Sequence, residues 1–176
     1  MKALYRNLVW AALLFSVPLG ATTVPRLELT AIAHSAQLIV HGRIISHSSR
    51  WDDTHQFIWT HYVLEIKEAL KGKRSTRMTI AEPGGSVGGT TMTIAGAPEY
   101  QDGEEVIVFL ERTPIGYWRC YGWGQGKYTV TRSANGKERV RTSLAGLELV
   151  GKSPLREANA MELGQFKRLV LSEVKR

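Results

Sequence analysis

The sequence predicts a mainly β domain with a short helix near its start and a longer helix at its end. Three observations predict it. β-Branched and aromatic residues recur in alternating blocks of strand length, Gly, Asn and Asp turn signals separate those blocks, and the hydrophobic period changes from two to about 3.6 in the final segment. Of the 176 residues 43% are hydrophobic, enough to bury a core without covalent staples.

Residues 1–22 precede the domain and read as a signal peptide. Lys2 and Arg6 form a basic start, Leu8 to Phe15 an apolar stretch, and Pro18, Gly20, Ala21, Thr22 and Thr23 a small-residue exit. The apolar stretch is shorter than the roughly 18 residues a membrane helix needs. The expectation is an exported protein, periplasmic or extracellular, with no membrane span in a mature chain covering 23–176 as one domain.

Leu27 to Ser35 reads as a helix with Leu29, Ile32 and Ala33 on one side. Leu38 to His47 alternates as a strand, Ser48 to Thr54 is polar and reads as a turn, and Gln56 to Leu70 is a long second strand. Lys71-Gly72-Lys73 ends it, Arg77 to Ala81 forms a third, and Pro83 to Gly89 reads as a flexible connection before a strand at Thr90 to Ile94. Asp102-Gly103 turns into Glu105 to Leu110. Further strands are expected at Tyr117 to Tyr121 and at Lys127 to Arg132, with Asn135-Gly136 as the hairpin turn into Glu138 to Arg141. A helix over 159–175 closes the chain: Asn159 and Glu162 have capping-box spacing, and Leu163, Phe166, Val170 and Val174 recur at helical intervals. Val106 to Leu110 is apolar at both parities, so that strand should be covered on both faces, by the C-terminal helix and by the barrel interior.

Register sharpens the first hairpin. Leu38, Val40, Gly42 and Ile44 should look inward, as should Ile58, Tyr62, Leu64 and Ile66. Pairing residues whose numbers sum to 108 keeps those sets opposite one another, sets Arg43 across from Glu65, and sets His47 across from His61. The outward face would then hold His41, Arg43, His47, Phe57, Trp59 and His61, unless another strand or the C-terminal helix covers it. Two neighbouring histidines are short of the three or four ligands of a zinc site, and no metal or other cofactor is expected.

Formal charge is +7, or +5 once Lys2 and Arg6 leave with the signal. From residue 112 onward 13 basic residues face 5 acidic ones, with Arg132, Lys137, Arg139, Arg141, Lys152 and Arg156 close together in sequence. Such a block is a solvated face or a field for an anionic surface polymer. Nucleic acid is not expected as a partner, because the chain carries no recognised binding motif. Cys120 is the sole cysteine, so an internal disulfide is impossible and a buried thiol is expected.

Catalytic signatures are incomplete. Gly84-Gly85-Ser86-Val87-Gly88 matches a nucleophile elbow, yet strand-forming residues follow it and every histidine lies upstream. Gly122 to Lys127 lacks the first glycine of a phosphate loop and has Tyr128 in place of Ser or Thr. Asp52, Asp53 and His55 share a loop without EF-hand spacing. Glu104 and Glu105 should point to opposite faces of their strand.

The order of blocks is informative. Ala36-Gln-Leu-Ile-Val-His-Gly-Arg-Ile44, Tyr62 to Gly72, Gly84 to Gly89 and Asp102 to Leu110 together resemble the netrin-like module shared with the tissue inhibitors of metalloproteinases. They look even more like uncharacterised exported bacterial proteins with the same blocks. The resemblance covers roughly residues 36 to 132. It implies an OB-like antiparallel β-barrel with added helices and a tendency toward protein binding, often on the face of strands two and three. The animal inhibitors chelate a protease zinc with an N-terminal cysteine and use a disulfide frame; this chain has neither, so that mechanism does not transfer.

The resulting expectation is an exported, non-enzymatic binding module that engages or restrains a secreted or envelope protein, with Trp51, Trp59, His61 and Trp123 as contacts. The alternatives are a secreted hydrolase built around the first hairpin, or an envelope protein holding anionic polymer through its basic C-terminal part.

Overall fold

The structure, a computed structural model, describes residues 22–73, 75–142, 144, 147–150 and 160–175. Most of the signal-like segment, together with Lys152, Arg156 and Asn159, lies outside the described residues. Among the described residues eleven strands and two α-helices follow in the order β1 (Thr22–Pro25), α1 (Leu29–Ser35), β2 (Leu38–Trp51), β3 (Ile58–Lys71), β4 (Arg77–Pro83), β5 (Gly85–Val87), β6 (Thr90–Met92), β7 (Glu105–Arg112), β8 (Trp118–Cys120), β9 (Lys127–Arg132), β10 (Glu138–Arg141), β11 (Leu147–Val150) and α2 (Leu163–Val174), with a short 3-10 helix at Trp123–Gly126 between β8 and β9. The fold is mainly β.

One seven-stranded sheet runs β10-β9-β7-β2-β3-β4-β8. β8 pairs antiparallel with β7 and meets β4 through a single parallel bridge, Ile80 to Trp118, so β7, β2, β3, β4 and β8 form a partial ring. β5 and β6 make a separate hairpin, and β1 lies parallel to β11, a pairing the sequence did not signal.

β7 feeds two cores, as β2 and β3 also do. Ile107 and Phe109 join Ile32 and Ala33 of α1, Phe166 and Val170 of α2, and Tyr128 in one core. Val106, Val108 and Leu110 join Val40, Ile44, Leu64 and Ile80 in the other. The doubly apolar run is therefore covered by α2 on one side and by the ring interior on the other, as expected. Tyr128 ties the first core together, its ring 5.7 Å from Phe109 and 4.6 Å from Phe166. Cys120 is fully buried with a free thiol.

Several boundaries differ from expectation for identifiable reasons. β2 does not end at His47: Ser48 to Trp51 pair with His61 to Ile58, and the turn shrinks to 52–57. Asp52 anchors that turn, its carboxylate accepting the amides of Gln56 at 2.9 Å and Phe57 at 3.3 Å and the Thr54 hydroxyl at 3.0 Å. Residues 83–89 are not a structureless connection, because Gly85–Val87 is β5 and the turn to β6 falls on Gly88 and Gly89; β6 stops at Met92 rather than Ile94. The C-terminal helix starts at Leu163 instead of 159. Residues 160–162 are held to β10 instead, through Ala160 N–H to Val140 O at 2.8 Å and Val140 N–H to Met161 O at 3.0 Å, leaving Glu162 as a cap residue without a side-chain cap bond.

The largest correction concerns register. The sum of 108 holds at Gly42–Ile66, Arg43–Glu65 and Ile44–Leu64, and Ile45 is then skipped, so Ser46 opposes Val63 and His47 opposes Tyr62. Such a bulge inserts one residue and reverses side-chain parity beyond it. Just before the bulge the strands approach closely, since a Cβ on Gly42 would lie 2.3 Å from the Glu65 carbonyl oxygen. His47 and His61 are consequently not a cross-strand pair.

Phe166 is fully buried between helix and sheet. Phe166→Ala should cost about 3–5 kcal/mol, read as a lower urea midpoint with an unchanged slope; a loss below 1 kcal/mol would mean that α2 does not close this core.

Candidate functional site

The bulge at Ile45 divides the long hairpin into two halves with different surroundings. In the half near β7 the outward side is covered. His41 is 5% exposed, and its Nε2 donates to Glu105 at 2.8 Å. Glu105 also holds Lys67 at 2.7 Å and Arg43 at 3.2 Å, and Lys167 of α2 reaches Glu68 at 2.7 Å. Burial, together with the Lys167 charge, lowers the His41 pKa despite the Glu105 bond. His41 lies on the outward face, and here the C-terminal helix does cover that face: α2 and this ion-pair cluster enclose it. Glu104 points the other way, to Lys127 and Thr129.

Beyond the bulge the two faces of the hairpin are open. On one, His47 and Ser49 of β2 join Thr60 and Tyr62 of β3, the β5–β6 hairpin and the loop before β7 around a cleft of about 610 Å³, a size suited to a small ligand. The Thr60 hydroxyl donates to Gly84 O at 2.7 Å and accepts from Ser49 Oγ at 2.8 Å. This wall requires glycine next door: Gly85 has φ +129°, and a Cβ there would sit 2.3 Å from Thr60 Oγ1 and 2.5 Å from Ser49 Oγ. His47 Nδ1 meets Asp102 Oδ1 at 2.8 Å at the cleft's edge. Tyr62 and Tyr100 contact edge to face, centroids 4.8 Å apart, and the Lys127 ammonium sits 4.5 Å over the Tyr100 ring.

Glu82 is the unusual member of this wall. It is 1% exposed; one carboxyl oxygen accepts the Cys120 amide at 2.7 Å and the other has no partner. Burial pushes its pKa up to about 8, against the pull of the Cys120 amide and the Arg119 charge. Sequence reasoning missed Glu82 and Tyr100. A signal for Glu82 existed in β4, where it follows Met78 and Ile80 at the same parity as those core residues.

The opposite face carries a second groove, of about 510 Å³. Here Arg50 donates to His61 Nε2 at 3.0 Å, which sets His61 as the neutral Nδ1–H tautomer; burial first, then the Arg50 charge, lowers its pKa. Tyr117 contacts both Trp59 and His61 edge to face at 5.3 Å. Phe57, at the turn two residues before Trp59, is 49% exposed.

The four expected contacts are thus distributed. Trp59 and His61 lie together on this second face. Trp51 opposes Ile58, hence on the other side of the hairpin, and stacks on His55 with centroids 6.3 Å apart. Trp123 borders a separate groove beside β1, its ring 4.7 Å from the Arg119 guanidinium. Ser86, in the elbow-like stretch, sits in a β-hairpin and bonds Thr91 at 2.7 Å. Of the basic C-terminal block, Arg132 pairs with Glu138, and Lys137 with Glu162 at 3.4 Å. Among the described residues no group of three or more His, Cys, Asp or Glu side chains is placed to hold a metal, and no helix is long and apolar enough to cross a membrane.

No family model matches the chain. No curated protein matches its sequence.

The Glu82 carboxyl gives stability a pH dependence. Its folded pKa, about 8, exceeds the ordinary 4.5, so its contribution is fully present below pH 4.5 and lost as pH rises to 8. At about 1.4 kcal/mol per pKa unit the loss is on the order of 5 kcal/mol. Glu82→Gln should flatten the stability profile across that window in urea titrations at several pH values; an unchanged slope would show that Glu82 ionises normally in the folded chain.

Proposed function

We propose that the chain is an exported, non-enzymatic binding module with an OB-like barrel, which engages or restrains another secreted or envelope protein. The observation that carries this reading is the aromatic groove on the far half of the hairpin: Trp59 and His61 packed on Tyr117, Arg50 fixed beside them, and Phe57 half-exposed at the tip. Rigid aromatics with an ordered arginine are the side chains that dominate protein interfaces. Export is supported by the signal pattern of residues 1–22. The OB-like reading is supported by the ring order β7-β2-β3-β4-β8 with one parallel junction, and the groove is lined from β2, β3 and β4, the last two being the second and third long strands in chain order. That is the surface the netrin-like resemblance points to.

The hydrolase alternative needs His47 and His61 to work together with an acid. The bulge sends them to opposite faces, and the Ser86 hydroxyl is engaged by Thr91. The polymer-binding alternative needs free cations in the basic block, where two of the described ones are already paired within the chain.

Immobilised protein should recover a specific polypeptide from the native secretome or envelope extract. A Phe57→Ser/Trp59→Ala double variant with unchanged circular dichroism should recover at least about tenfold less, the scale of losing an interface anchor. Equal recovery by the variant, or no specific polypeptide with the wild-type surface, would reject the groove as the contact surface.

A further inference from the structure

The cleft on the other face of the hairpin has a chemistry that the aromatic groove does not share. Its lining includes Glu82, Glu99 and Asp102 and contains neither lysine nor arginine; its one histidine, His47, is held by Asp102. One buried polar atom in that wall lacks a hydrogen-bond partner, an oxygen of Glu82. A buried polar group left unsatisfied is costly, and a carboxyl in that condition at the wall of an open cleft is a place for a donor brought from outside. Tyr62 and Tyr100, in contact at 4.8 Å, add an apolar wall against which a short methylene chain would pack.

We propose that this cleft binds an alkylammonium group, with the ammonium paired to the Glu82 carboxylate and the alkyl stem against Tyr62 and Tyr100. The cation is favoured over an anion or a neutral ligand because every unpaired ionisable group of the lining is acidic or phenolic. The linings of the cleft and of the groove share only His47, and Phe57 and Trp59 line none of the cleft.

Binding is coupled to proton release. Glu82 is protonated at neutral pH because it is buried. An entering R–NH3+ stabilises the carboxylate, so the carboxyl O–H bond breaks, the proton leaves to solvent, and the ammonium takes its place. The groups bearing on Glu82 are known: Arg119 on β8 and Lys127 on β9 favour ionisation, Glu111 on β7 opposes it, and Tyr62, Tyr100, Glu99, His47 and Asp102 line the approach. Below pH 8 the affinity should rise about tenfold per pH unit, the linkage for one proton released.

The ammonium has two sources, a free amine or a lysine side chain of a polypeptide. The test is isothermal titration of the full chain with 1,5-diaminopentane, with Nα-acetyl-lysine N-methylamide, and with Nα-acetyl-norleucine N-methylamide as the uncharged control, each in two buffers of different ionisation enthalpy. Both cations should bind, with close to one proton released at pH 6.5, while the control should not. The tighter of the two cations identifies the source. Glu82→Gln should weaken both at least tenfold and abolish proton release, whereas Phe57→Ser/Trp59→Ala should leave amine binding unchanged. Binding of the control as tightly as the cations, retained binding in Glu82→Gln, or no heat at millimolar probe would overturn the proposal. Should Glu82→Gln fail to fold, the proton count on the unaltered chain decides, and zero protons at pH 6.5 overturns it.

Discussion

Two fourteen-residue strands paired without interruption would keep the same parity on each face from end to end. Three register shifts prevent that, between Ile39 and Val40, between His41 and Gly42, and at Ile45, and the last of them sets the far half. Skipping Ile45 keeps Val40 and Ile44 in the ring core on the near side, while placing His47 and Ser49 on the cleft wall and Arg50 next to His61 on the far side. Had the register of Gly42 to Ile44 continued, His47 would have met His61 and Arg50 would have faced the other way. The two open faces of the far half, one acidic and hydroxyl-lined, the other aromatic and cationic, are both products of that one extra residue.

The near half has the opposite character because β7 and α2 close over it. β7 contributes alternate residues to two cores, so its apolar run Val106 to Leu110 is covered on both faces. His41, Arg43 and Lys67 converge there on the single Glu105 carboxylate, and Lys167 pairs with Glu68. Burial and pairing leave this end of the hairpin as scaffold, and the two proposed binding surfaces lie where β2 and β3 extend past their β7 neighbour.

Periodic features were legible in the sequence. The strands Lys127–Arg132 and Glu138–Arg141, the double coverage of β7 and the inward set Leu38, Val40, Ile44 and Leu64 all follow from period-two patterns strong enough to survive packing. The features that were not legible depend on contacts distant in sequence. The bulge at Ile45 has no turn residue to announce it, and the close backbone approach at Gly42 accompanies a separate register shift just before it. The late start of α2 is set by hydrogen bonds to Val140 that no capping pattern encodes. The cleft joins residues from β2, β3, β4, β5 and the loop before β7, and its buried acid was hidden because a lone glutamate at a core parity reads as a strand end.

Cys120 closes the short strand that completes the ring, and its backbone amide, not its sulfur, meets Glu82. The thiol is fully enclosed, and burial raises its pKa far above the ordinary range, so oxidants and alkylating reagents reach it only after β8 detaches from β7. A solitary sulfhydryl at that seam makes the protein its own opening gauge: the rate of maleimide labelling in native buffer reports how often the ring parts, without any introduced probe.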